Sequence, residues 1–466
     1  MSPSPIYTNR GEGKVRKLVL QGLTQALLLL VLAGCGGGSG NIATSPSNNG
    51  GGGGQSGDSV TITVDSGPDP STGFDVDTPF ITITVCAPGS TTNCQQIDHV
   101  EVDTGSFGLR VMSSVLNSPL ASALRQEVGT GGNPIVECTV FADGFSWGPV
   151  ATADVQIAGE SASSVPIQVM GDSSFEQEIP TACSTQGTEE DTVGSFGANA
   201  ILGVGFFADD CGSGCATEPN NGFYYTCPPN STSTSACVNV TESESEQVTD
   251  PAAEFQMDNN GVIVELPSVT EGATGTTGTL IFGIGTESNN NLGAQTVYSA
   301  NSSSNTYGNI TTTYTTVGGQ QLFLPYSYLD TGSNAYYFGD DGIPSLTSCS
   351  TDPGYNSKNP ASWFCPSSEL KLSATNAGQN GTQGTVNFSV GNAYTLFNST
   401  TSGTVFNDLG ANSGSPSTNC DSQSTATSDV SCAFDFGFPF FLGRNVYIAF
   451  AGANTAGGGM GPYYAY

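Results

Sequence analysis

One tetrapeptide occurs twice in this chain of 466 residues, each time at the end of a strand-like run: His99-Val-Glu-Val-Asp103-Thr-Gly-Ser106 and Tyr326-Ser-Tyr-Leu-Asp330-Thr-Gly-Ser333. Each run reads as a strand and each Asp-Thr-Gly-Ser as the loop that ends it. An apolar-Leu-Gly segment follows each loop, Ala200-Ile-Leu-Gly203-Val204 in the first half and Phe440-Phe-Leu-Gly443 in the second. A shared order of loop and segment argues for duplication of one module. Either loop alone is equally well read as a β-turn whose Asp caps its own backbone, and either Leu-Gly segment as a core strand with a glycine for close packing. It is the pair of loops, with their flanks in order, that constrains the fold.

The texture between these landmarks is β. Short runs rich in Val, Ile, Thr, Tyr and Phe are separated by Gly, Ser, Asn and Pro: Val60 to Val64, Phe80 to Val85, Val150 to Ile157, Val262 to Leu266, Thr279 to Phe282 and Ile310 to Val317. These predict strands and turns. The best amphipathic helix candidate is Val111 to Val128, so the expected class is mostly β. About 400 residues are enough for two lobes rather than one core, and the expected division is 59–265 and 266–466.

The N-terminus reads as an export address. Arg10, Lys14, Arg16 and Lys17 precede an apolar run from Leu18 to Leu32 that closes on Leu32-Ala33-Gly34-Cys35. Basic residues before a short apolar run are the layout of a signal peptide, here 1–34. The ending resembles the lipobox of bacterial lipoproteins, which implies cleavage before Cys35 and lipid on that residue. Gly36 rather than Asp follows it, which by the same analogy points to the outer rather than the inner membrane. Residues 35–58 are Gly, Ser, Asn and Pro with almost nothing to bury, a flexible tether. Of the 13 cysteines, 12 remain once Cys35 is set aside. They form short-range couples, Cys86 with Cys94, Cys227 with Cys237, Cys349 with Cys365 and Cys420 with Cys432. Cys138, Cys183, Cys211 and Cys215 are left, and spacing alone does not decide the connectivity.

Charge narrows the partners. Residues 1–34 hold four of the nine Lys and Arg and one of the 41 Asp and Glu, so the remainder carries about −35. Such a polyanion repels phosphate, which excludes nucleic acid. In acid its carboxylates neutralise and little positive charge replaces them, so the composition suits an acidic environment; it equally keeps an envelope protein soluble. One histidine and no Cys-x2-Cys pair argue against a metal site, and no cofactor is implied. Gly283-Ile-Gly285 lacks the third glycine and following helix of a phosphate cradle, and His99 is the single possible base for a Ser-His-Asp site.

Around the two loops the chain resembles pepsin-like aspartic proteases over nearly the whole body. Pro79 to Pro88 looks like the strand ahead of that family's first catalytic loop, Val102 to Val111 like the loop itself, and Ala153 to Gly159 like the strand returning from its flap. Val262 to Pro267 with Gly278 to Gly285 resembles the crossing into the second lobe, and Tyr307 to Gly319 the hairpin before the second loop. The resemblance implies a bilobal architecture of two related β-barrel-like lobes with a cleft between them, in which a peptide or protein substrate lies. Asp103 and Asp330 would be the catalytic dyad. Two carboxylates sharing one proton divide into a base, which draws a proton from water, and an acid, which protonates the substrate carbonyl. Gly105 and Gly332 let the backbone turn beneath them, Thr104 and Thr331 hydrogen-bond across the lobe interface, and Ser106 and Ser333 brace the outer carboxylate oxygens.

Three departures accompany the likeness. The flap, Thr139 to Gly148, offers Phe141, Phe145 and Trp147 where the family carries Tyr; alternatively these are buried aromatics of a hairpin. Arg110 stands where the family has Trp. Cys138 and the turn Gly131-Gly-Asn-Pro134 suggest a remodelled rim, and no basic pro-segment is evident. The expected activity is an envelope-anchored acid endopeptidase, a monomer held to the membrane through Cys35. The competing expectation is a non-catalytic binding or structural lipoprotein on the same scaffold.

Overall fold

The computed structural model describes residues 57–466 except 70–74, 143, 178, 234, 302–307, 316–320, 340–342, 344–345, 350–362, 400–402, 414–419 and 421–431. The expected signal segment 1–34, Cys35, most of the tether 35–58 and the hairpin tip at Val317 to Gly319 lie outside the described residues. Within them the fold is mostly β, and no helix there is long and apolar enough to cross a membrane.

Two large sheets organise the chain. A 17-stranded sheet takes in the strands from Ser59–Val64 to Val297–Ser299 together with Arg444–Ala449 and Tyr463–Ala465. A 7-stranded sheet takes in those from Ile310–Thr315 to Asp435–Phe436. The C-terminal strands thus return to the first sheet. Gly261–Leu266 lies antiparallel to both Thr276–Phe282 and Arg444–Ala449, and Thr276–Phe282 pairs in turn with Ser59–Val64. The expected division at 265/266 runs through this shared strand.

The duplication is visible in the ladders. In the first half, Cys94–Asp103 enters the first loop and Phe107–Met112 leaves it, with Ala200–Val204 between them, parallel to the first and antiparallel to the second. In the second half, Gln321–Leu329 enters, Tyr336–Phe338 leaves, and Asp435–Phe436 lies between them, again parallel and antiparallel respectively. Each leaving strand has a parallel partner on its far side, Glu160–Met170 in one half and Gly410–Asn412 in the other. Two halves with the same strand order and directions place their loops at equivalent ends.

The ladders correct one sequence expectation. Leu202 pairs with Val102 and Gly203 with Asp103, whereas Leu329 pairs with Phe436, so the counterpart of Gly203 is Gly437. A Cβ on Gly203 would stand 2.6 Å from the Ser106 carbonyl carbon, and one on Gly437 2.5 Å from the Ser333 oxygen. Only a glycine lets either loop rest on its central strand. Phe440 to Gly443 instead follows a 3-10 turn, Phe438–Phe440, and delivers the chain to Arg444–Ala449. Its apolar side chains are buried, which is why it reads like a core strand.

The helix expected over Val111 to Val128 does not form. Phe107–Met112 is strand, Ser113–Val115 a 3-10 turn, and helix is confined to Ser118–Ala121, capped by the Asn117 side chain on the Leu120 amide. Pro119 has no N–H to give and fits only a first turn, so the apolar spacing there never acts as a helical stripe.

All six disulfides fall on the 12 cysteines of the body. The four short-range couples are Cys86–Cys94, Cys227–Cys237, Cys349–Cys365 and Cys420–Cys432, and the remaining four resolve as Cys138–Cys183 and Cys211–Cys215. Gly437→Ala is expected to cost about 1–3 kcal/mol through overpacking against Ser333 and Ala335, measured by urea unfolding; an unchanged midpoint would refute the assignment of this glycine as the counterpart of Gly203.

Candidate active site

The two loops meet through a reciprocal set of hydrogen bonds. The Thr104 amide donates to Thr331 Oγ1 at 3.1 Å and the Thr331 amide to Thr104 Oγ1 at 3.0 Å. Each hydroxyl then passes its own proton across the pseudo-twofold, Thr104 to the Leu329 carbonyl at 3.0 Å and Thr331 to the Val102 carbonyl at 2.6 Å. Both threonines are buried. Every donor and acceptor in the set is used, and the partners are about half the chain apart, so the set holds the loops in one relative position.

That position brings the aspartates together. Asp103 and Asp330 are both buried, and each Oδ1 accepts the amide of its own loop glycine at 2.8 Å, Gly105 and Gly332 respectively. A Cβ on Gly105 would stand 2.6 Å from both carboxylate oxygens of Asp330, and one on Gly332 2.6 Å from Oδ1 of Asp103. Each carboxyl therefore lies against the backbone of the opposite loop. The turn-capping role and the paired arrangement hold at once.

The serines are not equivalent. Ser333 Oγ lies 3.0 Å from Asp330 Oδ2 and 2.6 Å from Asp435 Oδ2. Ser106 is buried, and its hydroxyl has no hydrogen-bond partner among the described residues. The expected brace is made by Ser333 and not by Ser106. Asp435 sits on the ladder where the first half has Ile201: Asp435 pairs with Tyr328, Ile201 with Glu101.

Beside the first loop stands a hairpin of Ile135–Val140 and Gly144–Ile157, with Val140 opposite Phe145 and Cys138 opposite Trp147. Its other edge is not free, because Ile135–Val140 also pairs with Tyr224–Thr226. Phe145 and Trp147 are buried with Phe175, Tyr225 and the Cys138–Cys183 bridge, and Trp147 Nε1 donates to the Phe175 carbonyl at 3.1 Å. Phe141 is buried among Phe80, Met112, Phe196 and Ile201. All three flap candidates are core side chains, Phe145 and Trp147 in this hairpin sheet and Phe141 in a separate cluster.

Arg110 anchors the sheet to the strand leaving the first loop. Fully buried, it donates to Glu137 Oε1 at 2.7 Å, Asp210 Oδ2 at 2.9 Å, Thr139 Oγ1 at 2.9 Å and the Phe107 carbonyl at 2.6 Å. Tyr224 donates to Asp210 Oδ1 at 2.7 Å. Burial raises Glu137, but the Arg110 charge and the hydrogen bonds from Asp210, Arg110 and Thr139 outweigh it and hold the carboxyl below its usual range. Asp210 is pushed well above its range by burial and by the Glu137 charge. The pair is thus driven apart, Glu137 toward the ionised form and Asp210 toward the protonated one. Sequence reading singled out Arg110 but not its partners; a buried cation in so acidic a chain is itself a signal that carboxylates face it.

Residues 54–466 match the family described as "Protein of unknown function (DUF3443)". The chain belongs to this family. No curated protein matches this DUF3443 member. Among solved structures it is similar to the aspartic proteinase from Irpex lacteus, with 16% identity over 87% of this chain and 96% of that chain and a TM-score of 0.46.

Elsewhere in this DUF3443 chain, carboxyls are raised in number. Burial pushes Asp209 up to about 6, Glu127 and Glu189 to about 7, and Glu242, Asp250 and Glu271 to about 8; Asp77 also lies well above its range. His99, edge-on to Phe80, is raised by Asp65. A carboxyl raised by folding favours the native state below its unfolded value, and that contribution disappears as pH climbs through the folded value. Tm is therefore expected to be highest near pH 4–5 and to fall between pH 6 and 8, read by circular dichroism; a flat or rising Tm over that window contradicts these assignments. Arg110→Met leaves Glu137 facing Asp210 without a cation, and is expected to lose about 3–5 kcal/mol in chemical denaturation; a loss below about 1 kcal/mol would show that the cluster is not an anchor.

Proposed function

We propose that the chain is an aspartic-type endopeptidase that hydrolyses peptide bonds with water activated between Asp103 and Asp330, in acid, at a cell envelope. The observation that carries this reading is the reciprocal threonine set, which sets each carboxyl on the backbone of the opposite loop. Two buried carboxyls at such close quarters favour a single shared proton. The ionised partner takes a proton from water as its oxygen adds to the peptide carbonyl, and the protonated partner gives its proton to the carbonyl oxygen. The tetrahedral diol then collapses: the carboxyl that took the water proton gives it to the nitrogen, the other carboxyl takes a hydroxyl proton, and the C–N bond breaks to an acid and an amine, which restores the singly protonated dyad. No acyl-enzyme forms.

The raised carboxyls support an acid working range, since the fold that keeps them buried prefers them protonated. The basic-then-apolar segment before Cys35 supports export and lipid attachment, with the body on a tether as a monomer. A second reading, peptide binding without hydrolysis, is favoured by the burial of Phe141, Phe145 and Trp147, which takes the expected flap aromatics into the core.

A soluble form lacking residues 1–35 is expected to cleave an unfolded protein substrate between about pH 3 and 6. A statine-type inhibitor should block cleavage, and Asp103→Asn and Asp330→Asn should each lower the rate by at least about a thousandfold. A folded protein that cleaves nothing from pH 3 to 7 would leave the binding reading in its place.

A further inference from the structure

We propose that Asp435 is a positioning residue for the dyad, acting through the Ser333 hydroxyl to make Asp330 the carboxyl that holds the shared proton and Asp103 the base. The inference rests on the peptide-hydrolysis reading and deepens it by dividing the roles.

Ser333 Oγ has one proton and stands between two carboxyls, 2.6 Å from Asp435 Oδ2 and 3.0 Å from Asp330 Oδ2. It can donate to only one of them. For the other contact to be a hydrogen bond, that carboxyl must bring the proton and the serine oxygen must accept it. A separation of 2.6 Å belongs to an O–H donating to an ionised carboxylate, while 3.0 Å is the length of an ordinary neutral contact. The hydroxyl thus points to Asp435, and Asp330 supplies the proton of the longer bond. Asp435, Ser333 and Asp330 are all buried.

The first half has no equivalent. Ile201 occupies the place of Asp435, and Ser106, at the position of Ser333, makes no hydrogen bond with its hydroxyl among the described residues. The two loops are matched at threonine and glycine, so an asymmetric feature is needed to tell their aspartates apart; Asp435 supplies one.

Among the described residues, the surrounding ionisable groups leave this assignment intact. Asp103 faces Asp330 from the opposite loop. On the strands flanking Asp435, Tyr328 pairs with it on one side and Tyr337 on the other, the Tyr337 hydroxyl donating to Asn334 Oδ1 at 2.8 Å. Tyr336, next to it, and Tyr464 are buried phenols pushed up by burial, Tyr464 also by the charges of Asp330 and Asp435, and both remain neutral in acid. Arg444 lies over the Phe440 ring, 4.5 Å from its centroid, and donates to the Phe440 carbonyl.

The test is the pH profile of kcat/KM for the full-length chain in detergent. Activity ends on the alkaline side when the dyad loses its shared proton. Asp435→Asn removes the charge that draws the serine proton away, the hydroxyl turns to Asp330, and the alkaline limb is expected to move down by about one pH unit. Ser333→Ala removes the acceptor for the Asp330 proton, and the limb is expected to move down again. If Ser333 instead donates to an ionised Asp330, Ser333→Ala moves the limb up, which overturns the proposal, as does an Asp435→Asn profile that overlays the parent's. Should the parent cleave nothing, the hydrolysis reading fails separately. Carboxyl carbon NMR titration of Asp330 then decides the proton assignment: a lower midpoint in Asp435→Asn supports it, and an unchanged one refutes it.

Discussion

Four hydrogen bonds between Thr104 and Thr331 and their neighbours carry the geometry on which the rest of the site depends. Each threonine gives its hydroxyl proton to the strand leading into the opposite loop and receives an amide proton on the same oxygen. Neither loop can shift without leaving buried polar groups unpaired, which is far costlier than the net worth of the bonds themselves. The two ladders bring the loops near each other, and the threonines turn proximity into a defined arrangement of carboxyls. Gly105 and Gly332 are the complement of this constraint, since a side chain at either would occupy the place of the opposing aspartate.

Around that symmetric centre the two halves have been loaded differently. The first carries a buried cation with two carboxyls and a tyrosine, tying the loop's exit strand to an added sheet. The second carries an extra buried acid beside its loop serine and a core of stacked phenylalanines, Phe338, Phe434 and Phe436. The many carboxyls raised by burial act in the same direction as the high negative charge, both favouring the folded state in acid.

The class and the loops were legible because each depends on a short stretch of chain with a strong local signature, and the threonine contacts followed from the resemblance to pepsin-like proteases that the paired loops carry. Asp-Thr-Gly-Ser at the end of a strand has few uses, and finding it twice multiplies the information. The helix candidate over Val111 to Val128 does not form, because the Asn117-Ser118-Pro119 start limits helix there to one short turn. The second Leu-Gly segment, Phe440 to Gly443, has the right letters but the wrong ladder, while the true partner, Asp435-Phe436-Gly437, interrupts an apolar run with an acid. Such an interruption is informative in itself, since a buried acid needs a partner, but the partner, Ser333, is about a hundred residues away. The Arg110 cluster was hidden for the same reason: its members lie 27 and 100 residues from the arginine.

The hairpin sheet beside the first loop has a dynamic consequence. A two-stranded ribbon with a free edge can bend and curl on its own, on the nanosecond timescale of loops. Here the strand Ile135–Val140 is paired on both sides and bridged by Cys138–Cys183, and its base is bound into the Arg110 cluster. Such a slab moves as one body, in the microsecond to millisecond range of collective motions rather than the nanosecond range of a free ribbon.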